Sequence, residues 1–330
     1  MQYVGIQTQI DRNNRKSMIL LMLFPCIILA VVWLFCCLFG CQTGYDECYN
    51  EISYMDWDAV NDAWIQSVPW VIGIVGVWFL IAYAFNMSMI EKATGSRPLD
   101  RKDNPRIYNM VENLCMSCGM PMPKINVIDD PMLNAFASGI SKKSYTVTLT
   151  TGIMDYLDDD ELEGVIAHEL THIRNHDTRL LIVSIIFVGI VSTVMNVLVQ
   201  VVLRIFLSGG GRSRNNKNGG VAIIIFGIAA IICSAIAFFF VSLTRFAISR
   251  KREFMADAGG AELTRNPRAL ASALRKISDR PGLGSVKRDD IAQLYIIHPK
   301  KVATGFFDKL SGMFSTHPST EERIRILEQF

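Results

Sequence analysis

Four long stretches of the chain contain no charged residue, and they alternate with segments of ordinary polar composition. They cover residues 17–45, 63–90, 180–203 and 219–244. Each is longer than the roughly 20 residues that a helix needs to cross the hydrocarbon core of a bilayer. We therefore predict four transmembrane helices. The first two lie at about 17–40 and 68–90, and the last two form a hairpin within 180–244.

Basic residues beside these stretches predict an orientation. Arg12, Arg15 and Lys16 precede the first stretch, and Lys92 and Arg97 follow the second, whereas the loop 41–67 has six carboxylates and no Lys or Arg. Cytoplasmic loops carry an excess of Lys and Arg, which places the N-terminus and the segment after the second stretch in the cytoplasm. Arg212, Arg214 and Lys217 lie between the last two stretches and do not fit. Either that turn is an exception, or the last hairpin does not cross completely.

This pattern predicts three parts for the chain. Residues 1–90 form an N-terminal membrane region with the acidic outer loop 41–67. Residues 91–179 and 245–330 fold together as one cytosolic α+β domain, into which the hairpin 180–244 is inserted. The Gly-rich and polar segment 208–220 is typical of a flexible turn in that hairpin.

Local patterns predict the elements of the cytosolic domain. Pro105 opens a helix, residues 124–130 form a short strand, and residues 144–152 alternate strictly between apolar side chains and threonines, which is typical of a half-buried antiparallel or edge strand. Asp158–Asp160 cap a helix whose apolar residues recur at helical spacing. Two helices follow the hairpin, separated near Asn266–Pro267, and a final helix begins at Ser319, with Glu322 three residues on.

Composition and cysteine usage narrow the classes of function. Half of the 330 residues are hydrophobic and the formal net charge is only +2, so no overall field favours a nucleic-acid partner. Cys41 and Cys48 flank the outer loop and either pair in an oxidising compartment or remain thiols. Cys115 and Cys118 form a single C-x-x-C without further ligands nearby, which favours ordinary helix-end cysteines over a metal site.

The sequence His168-Glu169-Leu170-Thr171-His172 lies on the helix that Asp158–Asp160 cap. Two histidines one turn apart on one helix face can bind one zinc ion, and the glutamate between them lies beside it as a general base. The alternative is a solvated helix face. That alternative explains neither the helical context nor the cap, so we interpret the motif as a zinc site.

A third ligand has two candidates. His176 lies on the same helix face but about 12 Å along the axis from His168, too far for zinc bonds of about 2.1 Å. Glu253 lies on a second helix, and Asp257 one turn further on can hydrogen-bond the far ring nitrogen of a ligand histidine. From spacing alone, Glu253 could equally be a surface charge beside Arg250 and Arg252.

Four segments together resemble the HtpX-type membrane zinc endopeptidases, a family related to the prenyl-protein-processing proteases of the endoplasmic reticulum. They are His168–His172, "SRKREFMADAGGAEL", "LNAFASG" and "FSTHPSTEERI". The resemblance implies a gluzincin fold, one zinc ion bound by His168, His172 and Glu253, and catalysis by Glu169. It also implies a bacterial inner-membrane enzyme that degrades misfolded or damaged membrane proteins in quality control and stress response. The acidic outer loop is longer than we expect for the family.

Weaker expectations concern the substrate. Asn134 and Ala135 precede the alternating strand, where an exposed edge could add a substrate strand through backbone hydrogen bonds. His317 either approaches the metal or a substrate oxyanion, or is a helix-entry residue before Pro318, and we interpret His298 as structural. The alternative to a protease is a non-catalytic, zinc-containing membrane holdase, but a structural zinc site needs no Glu169. Finally, His172 and Leu180 are only eight residues apart, so the histidine helix can run almost directly into the third span.

Overall fold

In the computed structural model, two long helices carry the first two apolar stretches. Helix α1 is Ile6–Cys37 and helix α2 is Trp57–Thr94. A two-stranded antiparallel hairpin connects them, with β1 at Cys41–Tyr45 and β2 at Glu51–Met55. The structure describes residues 6–37, 40–45, 51–183, 250–279 and 319–330, together with single helical positions at 186, 193, 196, 197, 200 and 204. The fourth predicted span, nearly all of the third, the turn 208–220, Cys48, His298 and His317 lie outside these residues.

Within the described residues, one helix is long and apolar enough to cross a membrane. Helix α2 contains an 18-residue window with a mean hydropathy of 2.1, of which only 6% is buried inside the protein. Its exposed apolar side chains include Trp70, Ile74, Leu80 and Phe85. Most of this apolar surface is not covered by any of the described residues.

The chain divides into two compact units. The first comprises residues 1–17, 84–185 and 245–330, and the second comprises 18–83 and 186–244. In the second unit, α1 and α2 contact each other through aromatic side chains. Trp33 stacks on Trp57 with ring centroids 6.2 Å apart, and the Trp64 indole donates a hydrogen bond to the Leu29 carbonyl at 2.9 Å.

The first unit contains a small mixed sheet and a helical layer. Its strands are β3 (Arg97–Pro98), β4 (Lys124–Ile128), β5 (Ala135–Ser138) and β6 (Thr146–Thr150), in the order β3-β4-β6-β5. Strands β4 and β6 are parallel, and the other two pairs are antiparallel. The helices are α3 (Pro105–Cys118), α4 (Thr151–Tyr156), α5 (Asp159–Arg174), α6 (Arg250–Thr264), α7 (Pro267–Asp279) and α8 (Thr320–Leu327).

Helix α5 lies at the centre of the core because its apolar stripe faces neighbours on several sides. Leu162, Val165, Ile166, Leu170 and Ile173 are all at most 1% exposed, as the spacing predicts. Asp158 accepts from the Glu161 backbone N–H and Glu161 accepts from that of Asp158, which completes a capping box. The predicted start of this helix is confirmed, and so are the helix at Pro105, the break before Pro267 and the Ser319 cap.

The alternating strand was predicted wrongly as half-buried. Strand β6 lies inside the sheet between β4 and β5, and Thr146, Thr148 and Thr150 are at most 3% exposed. Threonine tolerates this burial where its hydroxyl finds a backbone partner. The Thr150 hydroxyl donates to the Met132 and Asn134 carbonyls and accepts from the backbone N–H of Ile153. The edge strand on this side is β5.

Candidate metal centre

Helix α5 presents His168 and His172 one turn apart on the same face. Their rings are 4.8 Å apart between centroids and perpendicular to each other, and their Nε2 atoms are 3.2 Å apart. His168 and Glu169 are at most 3% exposed, and the His172 side chain is 15% exposed. Both histidines therefore direct Nε2 toward one point at the edge of the core.

Helix α6 brings a carboxylate to that point. The Glu253 carboxylate oxygens lie 3.8 Å from Nε2 of His168 and 3.6 Å from Nε2 of His172. The three ligand atoms that these residues offer all lie within 4.8 Å of one another. Among the described residues this is the single cluster of three or more His, Cys, Asp or Glu that could hold a metal ion. His168, His172 and Glu253 therefore converge, as the family resemblance implied.

Two glycines allow α6 to approach α5 closely. A Cβ atom on Gly260 would lie 3.1 Å from the backbone nitrogen of His168, and one on Gly259 would lie 2.5 Å from Cγ2 of Thr171. Both distances are shorter than an ordinary carbon contact. The two helices can therefore touch at the level of His168, because Gly259 and Gly260 have only a hydrogen atom where other residues have a Cβ atom.

Each histidine is held from behind by a carboxylate. Nδ1 of His168 lies 2.9 Å from Oδ1 of Asp257, and Nδ1 of His172 lies 3.0 Å from Oδ2 of Asp177. A carboxylate on Nδ1 fixes the tautomer that leaves Nε2 available as a ligand. The sequence predicted this role for Asp257 but not for Asp177.

Two buried arginines compensate these carboxylates. The Arg323 side chain is 2% exposed and donates to both Asp257 oxygens at 2.6 and 2.8 Å, and its Nη1 lies 3.3 Å from the Glu253 carboxylate. The Arg252 guanidinium lies 3.4 Å from Oδ1 of Asp177. Buried charges need such partners, because an unpaired charge in a protein interior is strongly disfavoured.

The pKa directions follow from these charges. Burial alone lowers the pKa of His172, but the Asp177 hydrogen bond and the charges of Glu253, Asp177 and Glu169 outweigh it and raise that pKa to about 9. Burial alone raises the pKa of Asp257, but Arg323 and His168 outweigh it and hold that pKa below its usual value. The site therefore has an excess of negative charge near the two imidazoles, which suits a divalent cation.

His176 lies outside this cluster. Helix α5 ends at Arg174, and His176 has a positive φ of 59°, a left-handed conformation that interrupts the helix before it resumes over 177–183. Its Nδ1 lies 3.3 Å from Oδ1 of Asn14. We expected α5 to continue almost directly into the third span. Instead, the helix is interrupted at residues 175 and 176 before it resumes. The interruption also turns Asp177 back toward His172.

Asn134 and Ala135 lie where β5 begins. Asn134 is 2% exposed, its backbone N–H donates to the Thr150 hydroxyl at 3.1 Å, and its side-chain oxygen accepts from the Ala135 N–H at 2.9 Å. Strand β5 packs against α5, and its four residues are at most 6% exposed. The edge that was expected to be exposed here is therefore buried in this structure.

Comparison with known proteins identifies the family. The model of peptidase family M48 matches residues 101–330, which contain every residue of the cluster. The chain belongs to peptidase family M48. This is a family of metallopeptidases, which agrees with the cluster on α5 and α6.

Relatives of this M48 chain are similar along most of its length. It is 58% identical to a Protease HtpX homolog from Bacteroides fragilis over the whole of both chains. It is 42% identical to one from Tropheryma whipplei, covering 76% of this chain and 80% of the relative, and 37% identical to one from Dictyoglomus thermophilum, covering 96% and 92%. Among solved structures, the crystal structure of S. mikatae Ste24p has a TM-score of 0.45 at 20% identity over 80% of this chain. The chain spans 58% of that protein's length.

Three members of the M48 site were not predicted from the sequence. They lie on three different segments: Asp177 contacts His172, Arg252 contacts Asp177, and Arg323 contacts Asp257. A signal for Arg323 was present, because a carboxylate at Asp257 on a buried helix face requires a cation. Nothing in the spacing indicated which of the chain's 33 basic residues supplies it.

Proposed function

We propose that this M48 chain is a zinc-dependent membrane endopeptidase. The observation that carries the proposal is the convergence of His168, His172 and Glu253, with a carboxylate behind each imidazole. Such an open three-ligand set, with a glutamate adjacent to the first histidine, is the arrangement of catalytic zinc. The alternative of a non-catalytic zinc-containing holdase is not favoured, because it gives no role to Glu169.

The donor set fits zinc in both chemistry and spacing. In tetrahedral zinc with bonds of about 2.0–2.1 Å, two ligand atoms are separated by about 3.3 Å. The two Nε2 atoms are 3.2 Å apart, and the Glu253 oxygens lie 3.6 and 3.8 Å from them. Two imidazoles and one carboxylate are ordinary zinc ligands, so only small shifts of Glu253 separate this geometry from a bound site.

The mechanism assigns a task to each side chain. Zinc, when bound by His168, His172 and Glu253, supplies Lewis acidity toward water and the scissile carbonyl. Glu169 takes the proton of the attacking water and passes it to the leaving amine. Asp257 and Asp177 hold the tautomers of the two histidines, while Arg323 and Arg252 hold those carboxylates in place.

Substrate contacts are proposed at the start of β5. The Thr150 N–H donates to the Asn134 carbonyl at 3.0 Å, so 134–150 is a hydrogen-bonded pair of the antiparallel ladder. The alternation of such ladders then directs the backbone groups of Ala135 and Ala137 away from β6. An added substrate strand would pair with these groups, and lie beside Asn134 and Ala135, only by replacing the atoms that bury this edge in the structure described above. His317 lies outside the described residues, and we propose it as a further residue that contacts the substrate.

The cellular setting is part of the proposal. Helix α2 exposes its apolar side chains, which supports contact with lipid. We infer a multi-pass protein of the bacterial inner membrane with four spans and the division into domains given above. The M48 domain then faces the cytoplasm, and the chain's partners are the bilayer and unfolded or damaged membrane proteins that it degrades. The names of the relatives support the protease class, and the substrates rest on the family resemblance.

Glu169→Gln tests the catalytic assignment. The purified full chain, reconstituted with zinc in detergent, is incubated with an unfolded model membrane protein, and cleavage rate and zinc content are both measured. We expect the variant to keep one zinc per chain and to lose about 10²–10⁴-fold in rate. Glu163→Gln, the same change on the same helix, controls for helix stability and leaves the rate unchanged.

The outcomes are distinct. Full activity of Glu169→Gln would contradict the mechanism. Bound zinc without cleavage of any of several unfolded substrates by the wild-type chain would favour the holdase. Zinc binding that survives His172→Ala and Glu253→Ala would place the metal elsewhere.

A further inference from the structure

Four basic residues lie on the three segments that approach the turn at which α5 ends. They are Arg15, Lys142, Lys143 and Arg179, and we refer to them as the basic patch. The His176 ring nitrogen contacts the side chain of Asn14, the neighbour of Arg15, at 3.3 Å, and the charges of Arg179 and Lys142 both act on His176. Three segments distant in sequence therefore bring positive charge to one place in the first unit.

The two lysines lie on a well-defined turn. The Ser144 hydroxyl accepts from the backbone N–H groups of Ile140 and Ser141, both at 3.0 Å, and the Ser144 N–H donates to the Ser141 carbonyl at 2.9 Å. Lys142 and Lys143 lie at the tip of this turn and are exposed. The backbone position of both lysines is therefore set by the Ser144 hydroxyl and one backbone hydrogen bond, although their side chains reach solvent.

The charges of the basic patch are not compensated by the described part of the chain. No described carboxylate lies within 4.0 Å of any of the four groups. The nearest acidic neighbours along the chain are Asp11, exposed one turn before Arg15, and Asp177, which is directed to His172 and Arg252. Burial, followed by the charge of Arg179, lowers the pKa of His176; the charge of Asp177 acts against this and that of Lys142 adds to it.

The basic patch also lies where two apolar stretches begin. Arg15 comes two residues before the stretch 17–45, and Arg179 comes directly before the stretch 180–203. Basic residues at the cytoplasmic ends of membrane spans lie at the level of the lipid headgroups. This step rests on the membrane placement proposed above.

We propose that the basic patch binds the phosphate headgroups of anionic phospholipids in the leaflet that faces the M48 domain. Solvent-accessible cations without carboxylate partners, at headgroup level, match an anionic membrane surface in charge and position. The turn at His176 also carries Asp177, which holds His172. A bound headgroup would therefore steady the segment that orients one of the proposed zinc ligands.

Lipid binding can be measured without reference to proteolysis. The full chain is purified in a non-ionic detergent, and its thermal unfolding midpoint is recorded against increasing short-chain phosphatidylglycerol, short-chain phosphatidylcholine or inorganic phosphate. We expect only phosphatidylglycerol to raise the midpoint. In the triple variant Lys142→Gln/Lys143→Gln/Arg179→Gln, half-saturation should need about 100-fold more lipid, at roughly fivefold for each charge removed.

Matched variants separate the patch from net charge and from folding. Lys102→Gln/Lys124→Gln removes two exposed lysines elsewhere in the same unit and should keep the wild-type response. Lys142→Arg/Lys143→Arg keeps the charge and should keep it too. If the triple variant does not fold, Lys142→Gln/Lys143→Gln should still need about 25-fold more lipid.

Three results would overturn the inference: an unchanged response in the charge-removing variants, an equal response to phosphatidylcholine, or an equal response to inorganic phosphate. Flotation with vesicles tests the membrane placement separately. A chain that floats with neither neutral nor anionic vesicles contradicts that placement. A chain that floats equally with both, and shows no selective midpoint shift, contradicts the basic patch alone.

Discussion

The two carboxylates behind the histidines differ in how they are supported. Asp257 is held by two hydrogen bonds from Arg323, which also reaches Glu253. Asp177 lies at the longer distance of 3.4 Å from Arg252, just after the helix interruption at His176. The His172 side of the site is therefore the one more easily disturbed.

Asp177→Asn tests this at the level of one side chain. An amide can still hydrogen-bond Nδ1 of His172 but supplies no negative charge, so we expect zinc affinity to fall about 10–100-fold. Competition with a chromogenic chelator measures this directly. Asp279→Asn, an exposed aspartate at the end of α7, should leave the affinity unchanged. Equal affinities for Asp177→Asn and wild type would remove Asp177 from the site.

Arg323→Leu tests the buried ion pair. Removing the guanidinium leaves Asp257 and Glu253 buried beside each other without a cation, so we expect the metal-free chain to lose about 3–5 kcal/mol in free energy of unfolding. Zinc should recover part of that loss, because the ion compensates the same charges. Denaturant titration with and without zinc measures both effects. Arg325→Leu, exposed on the same helix, should change the free energy by less than about 0.5 kcal/mol.

At the scale of residues, local spacing predicted those site residues that lie together on one helix or in one motif. His168, Glu169 and His172 follow from a five-residue pattern, and Asp257 follows from its distance to Glu253 along α6. The choice of Glu253 over a surface charge needed the family resemblance. Asp177 and Arg323 depend on a left-handed turn and on a helix 155 residues from His168, neither of which leaves a local pattern.

At the scale of elements, the contact between α5 and α6 sets the distance between the proposed ligands. Gly259→Ala would place a methyl group 2.5 Å from Cγ2 of Thr171, so the helices must separate, and we expect both the unfolding midpoint and the zinc affinity to fall. Adding Thr171→Ala removes that atom and should restore part of both. Gly76→Ala on α2, with no atom within 4 Å, should be neutral. A zinc affinity insensitive to Gly259→Ala would contradict this dependence.

The start of α5 is connected to α7 through Glu161. Its carboxylate accepts from Lys276 Nζ at 2.5 Å, the Ser272 hydroxyl at 2.7 Å and the Asp158 N–H at 3.2 Å. Burial alone raises the pKa of Glu161, but these donors outweigh it and lower that pKa below its usual value. The ionised form therefore stabilises the fold above the unfolded pKa of about 4.3, and this contribution is lost as pH falls through the lower folded value.

Glu161→Gln should consequently be destabilising near pH 7, by about 1–2 kcal/mol, and its difference from wild type should shrink below about pH 4. Unfolding in the presence of chelator measures this without metal release.

Glu163, on the same helix, has a pKa shifted in the opposite direction. Burial, followed by Asp160 and Asp159, raises its pKa, so its ionised form is disfavoured in the folded chain. Glu163→Gln should gain stability relative to wild type as pH rises.

Helices were easier to predict than strands, for a physical reason. Caps and the 3.6-residue period are local, so the start of α5 and the break at Pro267 follow from a few neighbouring residues. Whether a strand is internal depends on which strands pair with it. The threonines of β6 are polar by composition yet buried by β4, β5 and their own hydroxyl contacts, so alternation alone gave the wrong face.

At the scale of the whole molecule, the proposed topology assigns each part of the chain to one side of a membrane. Hydropathy and basic residues predict the topology, and within the described residues α2 alone has the length and composition to cross. The charge pattern fits every loop except the segment 208–220, where three basic residues lie on the predicted outer side. Basic residues bias a loop toward the cytoplasm but do not fix its location. The side on which residues 208–220 lie therefore distinguishes a hairpin that crosses the membrane from one that does not.

Epitope tags placed in single loops of the full chain test this directly. A tag between Tyr45 and Glu51 should bind antibody on intact spheroplasts, and a tag after Phe330 should bind only after permeabilisation. If all four stretches cross, a tag within 208–220 should also bind on intact spheroplasts, despite its arginines. Binding only after permeabilisation would show that residues 180–244 enter and leave the membrane on the cytoplasmic side. The proposed zinc site would remain cytoplasmic in that case, but the chain would have two complete spans instead of four.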